Sequence, residues 1–149
     1  METLLTFWLD GKKFACQLDS MQRVVWAVEI TPLPGQNDKV LGVINIEDQV
    51  IPIVDLRQIV GMRARELELD DDILIANSAF GPVGMIVDSV EGVSEFDGAE
   101  LAPITDPVKS YASGVLKSDG DLIVIIDPTK LIKAGDLPDV SDVSLPELV

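Results

Sequence analysis

Two aspartates each stand between an aliphatic residue and a serine, in Leu18-Asp19-Ser20 and Val87-Asp88-Ser89. Two carboxylates that share one proton can activate water for amide cleavage, the chemistry of an aspartic-type hydrolase. That chemistry needs glycine after the Asp-Ser pair so that two tight loops can approach, and Met21 and Val90 follow instead. A hydrolase is therefore the disfavoured reading. The run Glu66-Leu67-Glu68-Leu69-Asp70-Asp71-Asp72 puts five acids in seven residues and suggests calcium. It lacks the glycine at the sixth position and the closing glutamate of a common calcium loop, so it reads as a solvated connector. Cys16 is the only thiol and histidine is absent. No group is placed to draw out the Cys16 proton, which makes it a core thiol. One cysteine also excludes the usual structural zinc sites. No glycine-rich phosphate loop or base-activated nucleophile appears. No catalytic, cofactor-binding or metal-binding residue is expected.

The remaining aspartates read as structural. Asp55 follows Val50–Val54 and precedes Leu56-Arg57-Gln58-Ile59-Val60-Gly61, where its carboxylate can accept amide hydrogens at a helix start and Gly61 can end the helix. Asp127-Pro128 is a stronger start, since proline at the first helical position loses no needed hydrogen bond. Ahead of Asp55, Leu41–Ile46 and Val50–Val54 are β-branched runs separated by polar Glu47-Asp48-Gln49, a hairpin pattern.

The same hairpin recurs. Gly42 matches Gly114 and Asp55 matches Asp127 at an offset of 72, with Val43/Val115, Ile51/Ile123 and Ile53/Ile125 in the same register. Further back, Leu18-Asp19-Ser20 matches Val87-Asp88-Ser89 at 69, and Ile30-Thr31-Pro32 matches Leu101-Ala102-Pro103 at 71. The order of these matches predicts two β units of roughly seventy residues, each a hairpin, a capped turn, a proline-bearing strand, a second hairpin and a short helix. Leu4–Leu9 and Phe14–Leu18 flank Asp10-Gly11, a favoured hairpin pair. Asp19 is expected to cap a helical turn through Met21-Gln22-Arg23 that runs into a strand, and Asp88 to cap the corresponding turn.

The chain has 149 residues, 47% of them hydrophobic, enough for a full core. A surplus of 26 acidic over 11 basic residues gives a net charge of −15, which argues against nucleic acid and anionic membrane surfaces as partners. No apolar run reaches the roughly eighteen residues of a membrane span. The start Met-Glu-Thr-Leu-Leu lacks a signal peptide's basic segment, and with one cysteine a cytoplasmic setting is expected. The tail 134–149 carries Asp136, Asp139, Asp142 and Glu147 without a basic residue, and reads as a loose tail or a strap over an apolar groove. What remains is an acidic two-lobed β protein that works by presenting surfaces to other proteins.

At this point several segments resemble the CheW family: Phe14-Ala15, Thr31-Pro32-Leu33-Pro34, Gly42-Val43-Ile44-Asn45-Ile46, Ile51-Pro52-Ile53-Val54-Asp55-Leu56-Arg57, and Gly84 through Val87-Asp88 with Val90 and Val93. The resemblance runs in order from about Leu4 to Ile132. It implies an all-β fold of two intertwined, SH3-like, five-stranded β-barrels with short connecting helices. The CheW-like domain would cover 1–133, with lobes of about 1–66 and 67–133, leaving open whether strands cross between them. It implies a cytoplasmic adaptor that couples methyl-accepting chemoreceptors to a CheA-type histidine kinase. One lobe would dock on the kinase's regulatory domain, and a groove between lobes would take the receptor tip. Carried over residue by residue, the receptor-facing set is Met21, Arg23, Val24, Gly42, Asn45, Glu47 and Val90. Two positions depart from the pattern: members usually carry an acid where Arg23 stands and Arg-Gly where Glu47-Asp48 stands. The expectation is that the two positions face each other and that an ion pair has been inverted. The alternative job for this fold is an accessory role in a motility or pilus pathway. A small-molecule-binding barrel would need empty interiors, whereas the crowded β-branched residues predict filled ones.

Overall fold

The computed structural model describes residues 1–26, 30–32, 40–63, 68, 70–98, 101–103, 111–118, 120–131 and 147–148. In chain order they form β1 (Glu2–Leu9), β2 (Lys12–Gln17), β3 (Met21–Trp26), β4 (Val40–Ile46), β5 (Gln49–Val54), α1 (Leu56–Ile59), β6 (Asp72–Ser78) and β7 (Gly81–Val87). β8 (Ser89–Phe96), β9 (Leu101–Pro103), β10 (Ala112–Ser118), β11 (Asp121–Ile126) and β12 (Glu147–Leu148) follow. Asp10 and Gly11 link β1 to β2 with φ of 53° and 75°, a two-residue turn whose twist matches the strands it joins.

The strands make two sheets, ordered β8-β1-β2-β11-β10-β9 and β12-β4-β5-β7-β6-β3. The sheets do not follow the sequence halves 1–66 and 67–133. The hairpin β1–β2 of the first half sits among β8–β11 of the second, and the hairpin β6–β7 of the second sits among β3–β5 of the first. Each exchanged hairpin joins its host through one parallel pair. In one sheet Ile125 lies opposite Ala15, and in the other Ile53 lies opposite Gly84. Parallel neighbours cannot be joined by a tight turn, so the partner strand has to arrive from elsewhere in the chain. Neither half closes a barrel alone.

Each sheet places neighbouring segments of the chain far apart in its strand order, as a closed barrel does. β8 and β9 are consecutive in the chain yet occupy opposite edges of their sheet, with residues 97–100 between them. In the other sheet the chain leaving β3 returns as Thr31, which exchanges two 2.9 Å backbone hydrogen bonds with Val43 of β4. With β8 and β9 counted once, and β3 and Thr31 counted once, there are two five-stranded barrels. β12 adds a sixth strand to the second.

Alternation along the strands sorts the apolar residues into three cores. Leu4, Ala15, Leu116, Ile123 and Ile125 fill one barrel, and Ile44, Ile46, Ile51, Ile53, Ile73 and Ile75 fill the other. The opposite faces of the same strands, with Leu5, Phe7, Phe14, Leu74, Met85 and Leu56, form a third core between the barrels. Strands buried on both faces explain why the sequence reads as near-continuous aliphatic runs. The interiors are packed with side chains, as the β-branched patterning predicts. At Gly84 a Cβ would lie 2.4 Å from the Ile53 Cδ1, so glycine leaves the room that this isoleucine fills.

Local details correct several sequence expectations. The turn after β2 is a 3-10 segment at Leu18–Ser20, and Met21-Gln22-Arg23 already belong to β3, because pairing with β6 overrides the local helical spacing. Asp55 makes no side-chain cap hydrogen bond to α1. Gly61 does end α1, with φ of 83°, its amide donating to the Gln58 carbonyl and the Met62 amide to the Arg57 carbonyl. Asp127 behaves as expected and accepts from the Thr129 amide at 3.0 Å. The acidic stretch is not wholly solvated: Asp71 is buried and accepts the Glu68 amide at 2.8 Å, and Asp72 accepts the Val90 amide at 2.9 Å. Within it, residues 64–67 and 69 lie outside the described residues, as do Leu33 and Pro34.

Candidate functional site

β3 is an edge strand by pairing, and its sequence Met21-Gln22-Arg23-Val24-Val25-Trp26 splits between core and solvent. Met21 packs on the core between the barrels and Val25 on the isoleucine core. Arg23, Val24 and Trp26 point outward, and Trp26 is 80% exposed. An indole this exposed beside an exposed valine makes an apolar patch that water solvates poorly.

Beside this strand stands the β4–β5 turn. Glu47 and Asp48 have φ of 52° and 63°, the left-handed pair demanded by a two-residue hairpin, here supplied by residues that adopt it at some cost. The turn lifts Glu47 into solvent, where its Oε1 lies 3.6 Å from the Arg23 Nη2. The two positions do face each other. Both side chains are well exposed, so the contact adds little to the stability of the fold.

The rest of the expected set is gathered only in part. Asn45 lies two residues before Glu47 on β4, and its side-chain Oδ1 is buried with no hydrogen-bond partner among the described residues. Gly42 does not face solvent. It is buried where a Cβ would meet the Thr31 carbonyl oxygen at 2.3 Å, so its part is to let the returning strand close the barrel. Val90 belongs to the other sheet, pairs with Phe7 and is half-buried against the core between the barrels. Its tie to the patch is indirect: its amide bonds Asp72, which lies opposite Trp26 in the ladder. Trp26 lies outside the expected set, although an aromatic closing an edge strand is a usable signal.

The two Asp-Ser aspartates play unlike parts, and no hydrogen bond joins them among the described residues. Asp19 is exposed on the 3-10 turn. Asp88 does not cap a turn, because β8 begins at the next residue. Its Oδ1 takes the Arg57 guanidinium at 2.5 Å, its Oδ2 accepts the Asp10 amide at 2.8 Å, and its own amide donates to the Trp8 carbonyl at 3.0 Å. Arg57 is buried on α1 and also reaches Asp10 at 3.8 Å. One carboxylate thus pins α1, the β1–β2 turn and the start of β8 together. Cys16 is fully buried, and burial, with a smaller contribution from the Asp127 charge, pushes its thiol up to about 12. It is a core residue at neutral pH.

The family model described as CheW-like domain matches residues 3–136. The chemotaxis protein CheW of Thermotoga maritima is 32% identical over 132 residues, covering 87% of each chain. The chemotaxis protein CheW of Rhizobium meliloti is 29% identical over 128 residues, covering 83% of each. Among solved structures, the scaffolding protein TtCheW of Thermoanaerobacter tengcongensis superposes with a TM-score of 0.83 at 26% identity, covering 91% of this chain and 95% of that one.

Proposed function

This chain belongs to the CheW family, and we propose that it is an adaptor coupling chemoreceptors to a CheA-type histidine kinase, acting in the cytoplasm. The observation that carries the reading is the shared backbone along nearly the whole of this chain and of the scaffolding protein. An adaptor needs two docking faces held at a fixed spacing, since holding both partners raises their effective concentration for each other. The exchanged hairpins and the core between the barrels support such rigidity, because neither barrel can move without breaking the strands of the other.

Within that reading, Arg23, Val24, Asn45 and Glu47, with Trp26 beside them, form the receptor-facing surface, and Met21 and Val90 support it from the core. The kinase's regulatory domain takes another face of the barrels. The domain is 1–133 and the tail 134–149 is an appendage to it. The enzyme alternative finds no support in the placement of Asp19 and Asp88.

The test is reconstitution with the histidine kinase and a receptor of the same cell, following phosphate transfer from ATP. The kinase rate should rise only when this chain and the receptor are present together. A rate indifferent to this chain, or turnover by this chain without a partner, would overturn the reading.

A further inference from the structure

The outer edge of β4 is filled in two different ways. Val43 lies opposite Pro52, which has no amide hydrogen, and its own N–H and C=O both turn outward to Thr31. Asn45, two residues on, has the same orientation in the ladder, so its backbone groups also face the outer edge. Thr31 does not reach them. They are met by β12, which runs parallel to β4 with Glu147 opposite Asn45 and Leu148 opposite Ile46. In the other barrel β9 covers Gly114 to Leu116, and among the described residues nothing pairs with the outer edge of Lys117–Ser118, which matches Asn45–Ile46 in the repeat.

A strand edge with free donors and acceptors is a template for any extended segment. We propose that the β4 edge at Asn45–Ile46 is a strand-docking site whose resident occupant is the chain's own C-terminal Glu147–Leu148, and that this occupant competes with the receptor for the adjoining surface. The competition rests on the receptor-facing reading above, whereas the seating of the tail does not. The position supports it: the ladder ends beside Glu47, the partner of Arg23. The chemistry makes the seat reversible. Residues 134–149 carry four acids and no basic residue, and Leu148 pairs with Ile46, the residue just before Glu47 and Asp48. A two-residue parallel ladder against like charge opens readily, yet tethering restores it without help from concentration. The part of the tail beyond Asp136 also lies outside the 3–136 covered by the family model, so a chain ending there keeps the whole matched region.

Three forms of the protein test this: the full chain, a chain ending at Asp136, and the full chain with Leu148→Pro, which keeps every tail charge but removes a ladder amide. The first readout is hydrogen exchange at the Asn45 amide, with the Val43 amide as internal control. Exchange at Asn45 should speed up in both variants while Val43 is unchanged; unchanged protection of Asn45 would overturn the seat. The second readout is binding to a purified receptor-tip fragment, which should tighten about threefold or more in both variants, as expected when a closed fraction is released. Faster exchange with unchanged receptor affinity would overturn the competition and leave the receptor-facing reading standing. Failure of all three forms to bind the receptor would overturn that reading and the competition with it. Tighter binding in the truncated chain alone would trace the effect to tail charge and overturn the strand mechanism.

Discussion

The two halves of this chain share a backbone plan and differ in what their polar side chains hold. On the edge strand of one barrel, Glu91 accepts from the Thr6 hydroxyl at 2.8 Å and pairs with Lys13 at 3.0 Å. At the matching place on the other edge strand, Gln22 donates to Asn77 at 2.6 Å. After one central hairpin the Asp127 side chain caps its own 3-10 turn, whereas after the other the Asp55 side chain makes no cap hydrogen bond to α1 and Arg57 reaches across to Asp88. Gly42 and Gly114 are equivalent because the strand that closes each barrel leaves no room for a side chain there. Polar positions have diverged because each needs only some partner, not a particular one. That freedom gives a duplicated scaffold two unlike surfaces, and coupling two different proteins requires unlike surfaces.

The equivalence breaks first, if it breaks, at the paired glycines. A Cβ at Gly42 would lie 2.3 Å from the Thr31 carbonyl oxygen and 2.9 Å from the Ile30 Cγ2, while one at Gly114 would lie 2.9 Å from the Ala102 carbonyl oxygen. In both places a bulge brings the strand against the one that closes the barrel. Gly42→Ala should therefore destabilise by about 3 kcal/mol and Gly114→Ala by about half as much, within the range for overpacked sites. Urea denaturation with an unchanged m-value is the measurement. Equal losses would mean that the two closures are not under different strain.

Next in size is the contrast between Arg57 and the Asp127 cap. Arg57→Ala leaves Asp88, whose side chain is 27% exposed, beside an emptied site, and should cost about 2 kcal/mol, below the range for fully buried pairs. Asp127→Ala should cost about 1 kcal/mol, the ordinary loss of a cap. A double-mutant cycle on Arg57 and Asp88 should show strong coupling, and additive losses would remove Asp88 as the pin between elements.

These two contrasts also mark what the sequence makes legible. Gly42 and Gly114 can be paired from their offset of 72, and Asp127 can be read as a cap because Pro128 follows it. Both are local or periodic signals. The exchange of hairpins is not legible, since matching offsets say that two segments are alike but not which copy each strand pairs with. Asp88 looks like a cap because Ser89 follows, yet its partner Arg57 is 31 residues away and no spacing rule connects them. Of the expected receptor-facing set, Arg23 and Glu47 can be paired only through the family resemblance, since both reverse the charge usual at those positions. Gly42, expected in the same set, is buried by the returning strand, a tertiary contact invisible in one dimension.

The edge-strand pairs differ in titration, and the effect is smaller. The Thr6 hydroxyl, and after it Lys13, holds the Glu91 carboxyl below its ordinary value. A depressed folded-state value means that the contribution is present above the unfolded-state pKa and is lost as pH falls through the folded-state one. Stability should therefore drop more steeply in the acid range below the ordinary glutamate value when Glu91 is intact than in Glu91→Gln. Gln22→Ala should show a pH-independent change. A Glu91→Gln curve parallel to the parent's would mean that solvent has screened the interaction at this exposed carboxylate.

The smallest change in stability belongs to the pair expected to matter most for partner choice. Arg23 and Glu47 are 46% and 76% exposed, so their contact contributes at most about 1 kcal/mol to folding. Arg23→Glu alone places two acids face to face, and Glu47→Arg alone places two bases; the double exchange rebuilds the pair with its sense reversed. Thermal midpoints should fall slightly in the singles and recover in the double. Receptor preference should not recover, because a receptor reads which sign stands on β3 and which on the turn, not whether the two cancel. Titrating the double variant against receptor tips from its own cell and from a system whose adaptor carries the usual charges measures this directly. If stability and preference return together, the pair is a structural contact only, and the surface that selects the receptor lies elsewhere on the barrels.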